Sequence, residues 1–322
     1  RYRYMDNAFK VRTFKEVIAD KNNFKEPGAV LGDFIKEGEL SVIGVAANSS
    51  ETAFCYDVAF ANASGLCHWE EPVSDKIRKT LCVDFELSDS QIARRYANVP
   101  DFVSCSVRRA HPVSSAHGCS PEDTIRNIEK LVEENRPELV IIDDLGALTG
   151  NAVSVSVVKK TMEGLKHIRE SFGLTMILVA HFRKRNGRNP IEISDIEGSS
   201  VICNYTDSIV AIGSSVEGTE IKYLKQLKTR SAQKMSEVAV MCLEDVPWLH
   251  FDFIRFDDEF NHLVNSQKSR STITDFMGEN IVRLNSEGFS IRSIAEMLGL
   301  SKSVVGRFLK DRNSYSPQLN YD

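Results

Sequence analysis

Three apolar runs in this sequence end in residues able to handle protons and metal ions. Leu139-Val140-Ile141-Ile142 runs into Asp143-Asp144, Leu81-Cys82-Val83 into Asp84-Phe85-Glu86, and Ile177-Leu178-Val179-Ala180 into His181. A carboxylate at Asp143 is placed to hold the Mg²⁺ of a nucleotide through water. Glu86 is a candidate to polarise an attacking water, and His181 is a polar residue able to sense a terminal phosphate. Taken singly these acids read as solvated loop residues. Gathered at one edge of a parallel sheet, where ligands bind in open α/β folds, they point to a site.

A fourth run has the layout of a phosphate-binding loop. Leu40-Ser41-Val42-Ile43-Gly44-Val45 leads through Ala46, Ala47, Asn48, Ser49 and Ser50 to Glu51, Thr52 and a helical stretch. In such a loop backbone N–H groups and a helix N-terminus face the phosphates. A working loop needs Gly for close approach, Lys for the β/γ phosphates and Ser/Thr for Mg²⁺. Thr52 fits the last role, with Asp143 as its partner at the metal. Ser50 stands at the Gly position and Glu51 at the Lys position. From this segment alone a generic strand–turn–helix accounts for the pattern; the three strand-end groups favour a nucleotide site built from Ala47, Asn48, Ser49, Ser50, Glu51 and Thr52.

The elements that must position these residues are legible as alternating strands and helices. Strand candidates are Leu40–Val45, Thr80–Phe85, Phe102–Val107, Leu139–Ile142, Thr175–Ala180 and Ser208–Ile212. Helical stretches fall at Thr52–Ala63, Ser88–Ala97, Pro121–Glu134, Val157–Phe172 and around Ser194–Cys203. The helix opened by Ser120-Pro121-Glu122-Asp123 carries an N-cap Ser, a first-turn Pro and a third-position acid. Such alternation predicts an α/β fold with a mostly parallel sheet covered by helices on both faces. Beyond Gly213 the period becomes two, as expected of antiparallel edge strands. Residues 1–23 read as an arm with a short helix at Phe14–Asp20, 24–265 as the core, 266–274 as a Ser/Lys/Arg/Thr linker, and 275–313 as a small all-α module.

The order of these motifs resembles the RecA-like P-loop ATPase family of plasmid RepA and DnaB-type hexameric helicases, and the RepA-like AAA family ATPases of mobile elements. The matching stretches are Leu81–Ser88, Leu139–Asp144, Leu178–Arg185, Asp195–Ser199 with Asp207–Gly213, and Tyr223–Arg230; together they span roughly residues 38–263. The strings Asp-Phe-Glu-Leu-Ser (84–88) and Tyr-Leu-Lys-Gln (223–226) are the most specific. The resemblance implies ATP and Mg²⁺ as cofactors, Glu86 as catalytic acid, Asp143 as the Walker-B acid and His181 as sensor. It also implies Lys228 and Arg230 as fingers reaching a neighbouring subunit's nucleotide in a hexameric homo-oligomer. The chain departs from the family at Ser50-Glu51, which replace Gly-Lys, so impaired hydrolysis is expected.

Two regions suggest DNA as a partner. His181-Phe182-Arg183-Lys184-Arg185-Asn186-Gly187-Arg188 carries four cations without an acid; Arg183, Lys184 and Arg185 suit a nucleic-acid backbone, with Phe182 as the one aromatic platform. A solvated basic loop is the competing reading. In the tail, Ser290–Gly299 and Ser301–Lys310 form two short helices about a Gly-containing turn. Ala295, Gly299 and Val305 have helix-turn-helix spacing, and the segment resembles the resolvase and transposase type. Its second helix offers Lys302, Ser303 and Arg307 to DNA; a trihelical packing module is the alternative.

Composition sets the outer bounds. The chain has 322 residues, 42% of them apolar and 26% charged, as in ordinary globular proteins. No apolar run approaches membrane-spanning length, and Arg1-Tyr2-Arg3-Tyr4 leads into no secretory signal, so a cytoplasmic location away from membranes is expected. Arg1 in place of an initiator Met is what a fragment or trimmed chain would show. Seven cysteines without a CxxC pair read as reduced thiols. Cys105, His111, His117 and Cys119 match no zinc module, and a polar loop is the simpler reading. The net charge is −5, yet residues 266–313 hold eight Lys/Arg against five acids, leaving −8 for the remainder. Two functions fit: a helicase-related ATPase acting on DNA in replication or mobilisation of a mobile element, or an inactive DNA-binding regulator or assembly subunit.

Overall fold

In a computed structural model the described residues are 11–24, 26–46, 50–66, 73–113, 119–150, 154–231, 233–264 and 275–298, with 305, 306, 308 and 309. A short helix α1 (Phe14–Ala19) precedes a hairpin of β1 (Ala29–Leu31) and β2 (Ile35–Lys36). The main sequence of elements is then β3 (Leu40–Val45), α2 (Glu51–Ser64), β4 (Thr80–Asp84), α3 (Asp89–Arg95), α4 (Asp101–Ser104), β5 (Val107–Ala110), α5 (Pro121–Asn135), β6 (Leu139–Asp143), α6 (Leu145–Thr149), α7 (Val155–Phe172), β7 (Thr175–His181) and α8 (Ser199–Tyr205). Four strands close the core: β8 (Ser208–Ser214), β9 (Ile221–Lys228), β10 (Val238–Glu244) and β11 (His250–Asp257).

Nine strands form one sheet in the order β11-β10-β9-β8-β3-β7-β6-β4-β5. The six from β8 to β5 run parallel, and β9, β10 and β11 join antiparallel. The α/β architecture read from the alternation, with helices on both faces and antiparallel strands at the edge, is therefore the one observed. Side-chain alternation divides each central strand between two cores. Ile43, Val45, Ile141 and Val179 pack with α2 on one face, while Val42, Val140, Ile142 and Leu178 pack with α5, α7 and α8 on the other. Phe54 of α2 is 1% exposed; burying such a ring stabilises by about 2 kcal/mol. Gly44 allows a close approach: a Cβ there would lie 2.7 Å from the Phe182 ring.

Two elements differ from the expected pattern. Phe102–Val103 belongs to the helical turn α4, which begins after Pro100, and its strand starts only at Val107. The apolar pair looks strand-like because Val103 is wholly buried, but it is buried from a helix. The stretch 194–203 is split into a 3₁₀ turn at Ile193–Asp195 and α8, because Gly198 takes a left-handed φ of 72° between them. The Ser120 cap holds as expected, accepting a hydrogen bond from Asp123 N, with Pro121 in the first turn.

Near the C-terminus, α9 (Asp275–Ser286) and α10 (Ile291–Met297) share a small core of Ile281, Leu284, Ile294, Ala295 and Val305. Residues 266–274 lie outside the described residues. No helix among the described residues is long and apolar enough to cross a membrane.

Candidate functional site

Parallel pairing brings the strand-end groups to one edge. Asp84 is in register with Asp143, and Val45 with His181. Thr52, in the first turn of α2, donates to Asp143 Oδ2 at 2.8 Å and has Glu86 Oε2 at 3.4 Å. His181 Nε2 lies 3.0 Å from Asp144 Oδ2 and 3.6 Å from Glu86 Oε1. Thr52, Glu86, Asp143 and His181 thus form one connected group.

The turn carrying Glu86 is built by contacts of Asp84 and Arg109 that the sequence does not reveal. Asp84 Oδ1 accepts from the Glu86 and Leu87 amides, each at 2.9 Å. Its Oδ2 accepts from Arg109 Nε at 3.0 Å and Tyr56 OH at 3.2 Å. Arg109 also bonds Asp89 and the Leu87 carbonyl, clamping the turn to β5. Asp144 was visible only as the second of two acids; it caps α6 through Ala147 N at 2.6 Å and orients His181.

At the start of α2, Ser50 adopts φ 62° and ψ 31° and makes no side-chain cap bond. That left-handed conformation is one Gly adopts freely and Ser does not. The backbone thus keeps the shape of a glycine position. Glu51 follows, 7% exposed. Ligand atoms of Glu51, Glu86 and His181 lie within 4.8 Å of one another. Ala47, Asn48 and Ser49 lie outside the described residues.

Crowding of carboxylates sets the electrostatics. Burial first, then Glu86, with Asp84 and Glu51 adding, pushes Asp143 up to about 8 against the Thr52 bond. Hydrogen bonds to Asp144 and then Glu86 raise His181 to about 10 against burial. Asp144 lies below its ordinary value: burial would raise it, but the His181 bond, the Ala147 amide and the His181 charge together outweigh that. At neutral pH the edge therefore holds a neutral Asp143 and an imidazolium paired with Asp144. Among the described residues Asp143 Oδ1 and His181 Nδ1 are buried without a hydrogen-bond partner.

This donor set fits a divalent cation better than a triphosphate. Thr52 and Asp143 are oxygen donors of the kind Mg²⁺ takes. The γ-phosphate, however, would meet Glu51 where an ammonium is needed. Two like unit charges 4 Å apart repel by about 4 kcal/mol at an effective dielectric of 20. Beside the group lies a cleft of about 630 Å³ whose lining includes Ser50, Glu86, Arg94, Arg95 and Trp248.

The remaining candidates fall elsewhere. Lys228 and Arg230 lie at the opposite, amino edge of the sheet, where β9 ends beside the start of β8. Lys228 Nζ donates to the Cys203 and Thr206 carbonyls, both at 2.6 Å, and so caps α8. Arg230 pairs with Asp207 at 3.1 Å, and its side chain is 54% exposed. Arg183 and Lys184 are exposed after β7. Arg185 is not free as expected: it bonds the Asn189 carbonyl at 2.6 Å, faces Asp195 at 3.4 Å and stacks near Phe182. Ala295 and Val305 are buried together, whereas Gly299, Lys302, Ser303 and Arg307 lie outside the described residues. His111 Nδ1 faces the Asp84 carbonyl at 3.1 Å, Cys105 and Cys119 are exposed, and His117 is not among the described residues.

Residues 7–187 match a family described as an AAA domain. The chain belongs to the AAA domain family. Members of this family are P-loop ATPases with a RecA-like core, and they generally bind ATP and Mg²⁺. No curated protein matches the sequence. Among solved structures, a KaiC-like protein from the hyperthermophilic archaeon Pyrococcus horikoshii superposes with a TM-score of 0.51 at 12% identity, covering 72% of this chain and 98% of that one. That likeness concerns the fold. Within the AAA domain fold, the described site keeps the Thr52–Asp143 pair and departs at Ser50-Glu51.

Proposed function

We propose that the chain acts on DNA in the replication or mobilisation of a mobile element, as a RecA-like ATPase-fold subunit with impaired ATP hydrolysis. One observation carries the impairment: Glu51 is buried at the first turn of α2, clustered with Glu86 and His181, where a working loop presents Lys. Exposed Arg183 and Lys184 and the basic surplus of residues 266–313 support contact with DNA. In this proposal residues 24–265 are the ATPase-fold core and 275–313 a helix-turn-helix module whose Lys302, Ser303 and Arg307 meet the duplex. The protein works in the cytoplasm as a homo-oligomer, a hexameric ring by family resemblance, with Arg230 facing a neighbour's site.

A second reading, an inactive DNA-binding regulator or assembly subunit, is favoured by the occupation of both proposed fingers. Lys228 caps α8, and Arg230 is paired with Asp207. The two readings separate in steady-state ATP hydrolysis with and without single-stranded DNA. Slow turnover stimulated by DNA supports the first, and none at all the second. Both require duplex affinity that is mostly lost on truncation after Val264. An unchanged gel-shift affinity of the truncated protein would refute the module.

A further inference from the structure

We propose that Glu51, Glu86 and His181 form a site for a divalent transition-metal cation that fills without nucleotide. Three ligand atoms, two carboxylate oxygens and one imidazole nitrogen, converge within 4.8 Å from three separate elements: the start of α2, the turn after β4 and the end of β7. A second observation points to a ligand. Asp143, 3% exposed, joins this group through Thr52, which lies 2.8 Å from its Oδ2 and 3.4 Å from Glu86 Oε2. Among the described residues its Oδ1 is buried with no hydrogen-bond partner. A buried orphan oxygen on the carboxylate that Thr52 ties to Glu86 is costly unless a cation or its bound water completes it.

The donor chemistry narrows the ion. Imidazole nitrogen favours first-row transition ions, and carboxylates accept Mn²⁺ and Zn²⁺ readily, whereas Mg²⁺ and Ca²⁺ prefer oxygen alone. Asp144 Oδ2 at 3.0 Å and Glu86 Oε1 at 3.6 Å both face His181 Nε2, so carboxylates fix the ring in place at the donor set. On binding, the ring nitrogen that coordinates releases its proton to solvent. The ion would stand where a working phosphate loop places its ammonium, so the charge lost with Lys returns as a metal. This site goes beyond the proposed DNA role and does not depend on it: neither absent ATP turnover nor absent DNA affinity bears on it.

The test is a titration of the whole, nucleotide-free, EDTA-treated protein with Mn²⁺, followed by electron paramagnetic resonance and calorimetry, with Zn²⁺ and Mg²⁺ as competitors. The expected result is one Mn²⁺ per chain in the micromolar range, displaced by Zn²⁺ far better than by Mg²⁺, with ¹⁴N coupling from an imidazole in the pulsed spectrum. Glu51→Gln and His181→Gln, each with an unchanged circular-dichroism spectrum, should weaken binding by about tenfold or more. The ¹⁴N coupling reports the His ligand in the wild type even where a variant fails to fold. No saturable binding at millimolar Mn²⁺, bound Mn²⁺ without ¹⁴N coupling, or a folded Glu51→Gln binding within twofold of wild type would overturn the site.

Discussion

The two edges of the central sheet bury carboxylates to the same depth and treat them in opposite ways. At the amino edge Glu39 is 4% exposed, and its oxygens accept from Lys36 N at 3.0 Å, Ser208 Oγ at 2.7 Å and Ser231 Oγ. Beside it Lys228 and Arg230 are spent on the α8 carbonyls and on Asp207. At the carboxyl edge Asp143 is 3% exposed, has Thr52 as a donor, and keeps one oxygen orphaned among Glu86, Asp84 and Glu51. Burial alone does not mark a functional carboxylate. Unsatisfied burial beside like charges does, since folding gains nothing from it.

The difference between the edges can be broken or sharpened by substitution. The largest expected effect is on the pH dependence of the metal-free protein. Asp143 is raised from 3.8 to about 8 in the folded chain, so its contribution is intact below 3.8 and is lost as pH rises toward about 8. His181, raised from 6.5 to about 10, stabilises fully below 6.5 and ceases to do so as pH rises through about 10. Both make the fold weaker toward alkaline pH, with a slope approaching about 1.4 kcal/mol per pH unit for a single titrating group. Asp143→Asn should flatten the acid-to-neutral part of that slope in urea titrations with EDTA present. Equal slopes in wild type and Asp143→Asn would remove the electrostatic distinction between the edges.

Next in size is Arg109→Ala, which leaves Asp84, 2% exposed, without its cation. A loss of about 3 kcal/mol is expected from the urea midpoint, and under about 1 kcal/mol would mean that the clamp on the Glu86 turn is ornamental. Ser50→Gly should stabilise by about 1 kcal/mol by relieving the left-handed Ser; a destabilisation in thermal melts would contradict that strain. Arg230→Ala, on the exposed Asp207 pair, should cost only about 0.5 kcal/mol. In a nucleotide-binding Glu51→Lys background it should spare ATP binding and abolish hydrolysis, and mixing it with a Glu86→Gln protein should then recover activity. A protein that stays monomeric with nucleotide and DNA present would end that role.

Much of the carboxyl edge was legible because strand-end residues of parallel strands must share it. An apolar run closing on Asp143 or His181 fixes both the strand and the place where its last side chain sits. What stayed hidden was adjacency. Nothing in the sequence says that β6 pairs with β7, so the Asp144–His181 contact could not be read, nor that Arg109 of β5 reaches Asp84 of β4. Short apolar pairs also mislead: Phe102–Val103 has strand composition, but a turn of helix buries Val103 equally well. Lys228 and Arg230 were expected on the family's pattern, but only the coordinates reveal the carbonyls and carboxylate they already hold.

The most direct test of the rebuilt phosphate site is calorimetric titration of ATP, with Mg²⁺ present, into the wild type and into Ser50→Gly/Glu51→Lys. Reversing the charge at position 51 and restoring the glycine should tighten ATP binding by about a thousandfold, the equivalent of about 4 kcal/mol. Wild-type binding as tight as that of the double variant would contradict the reading of Glu51 as the residue that closes this site to triphosphate.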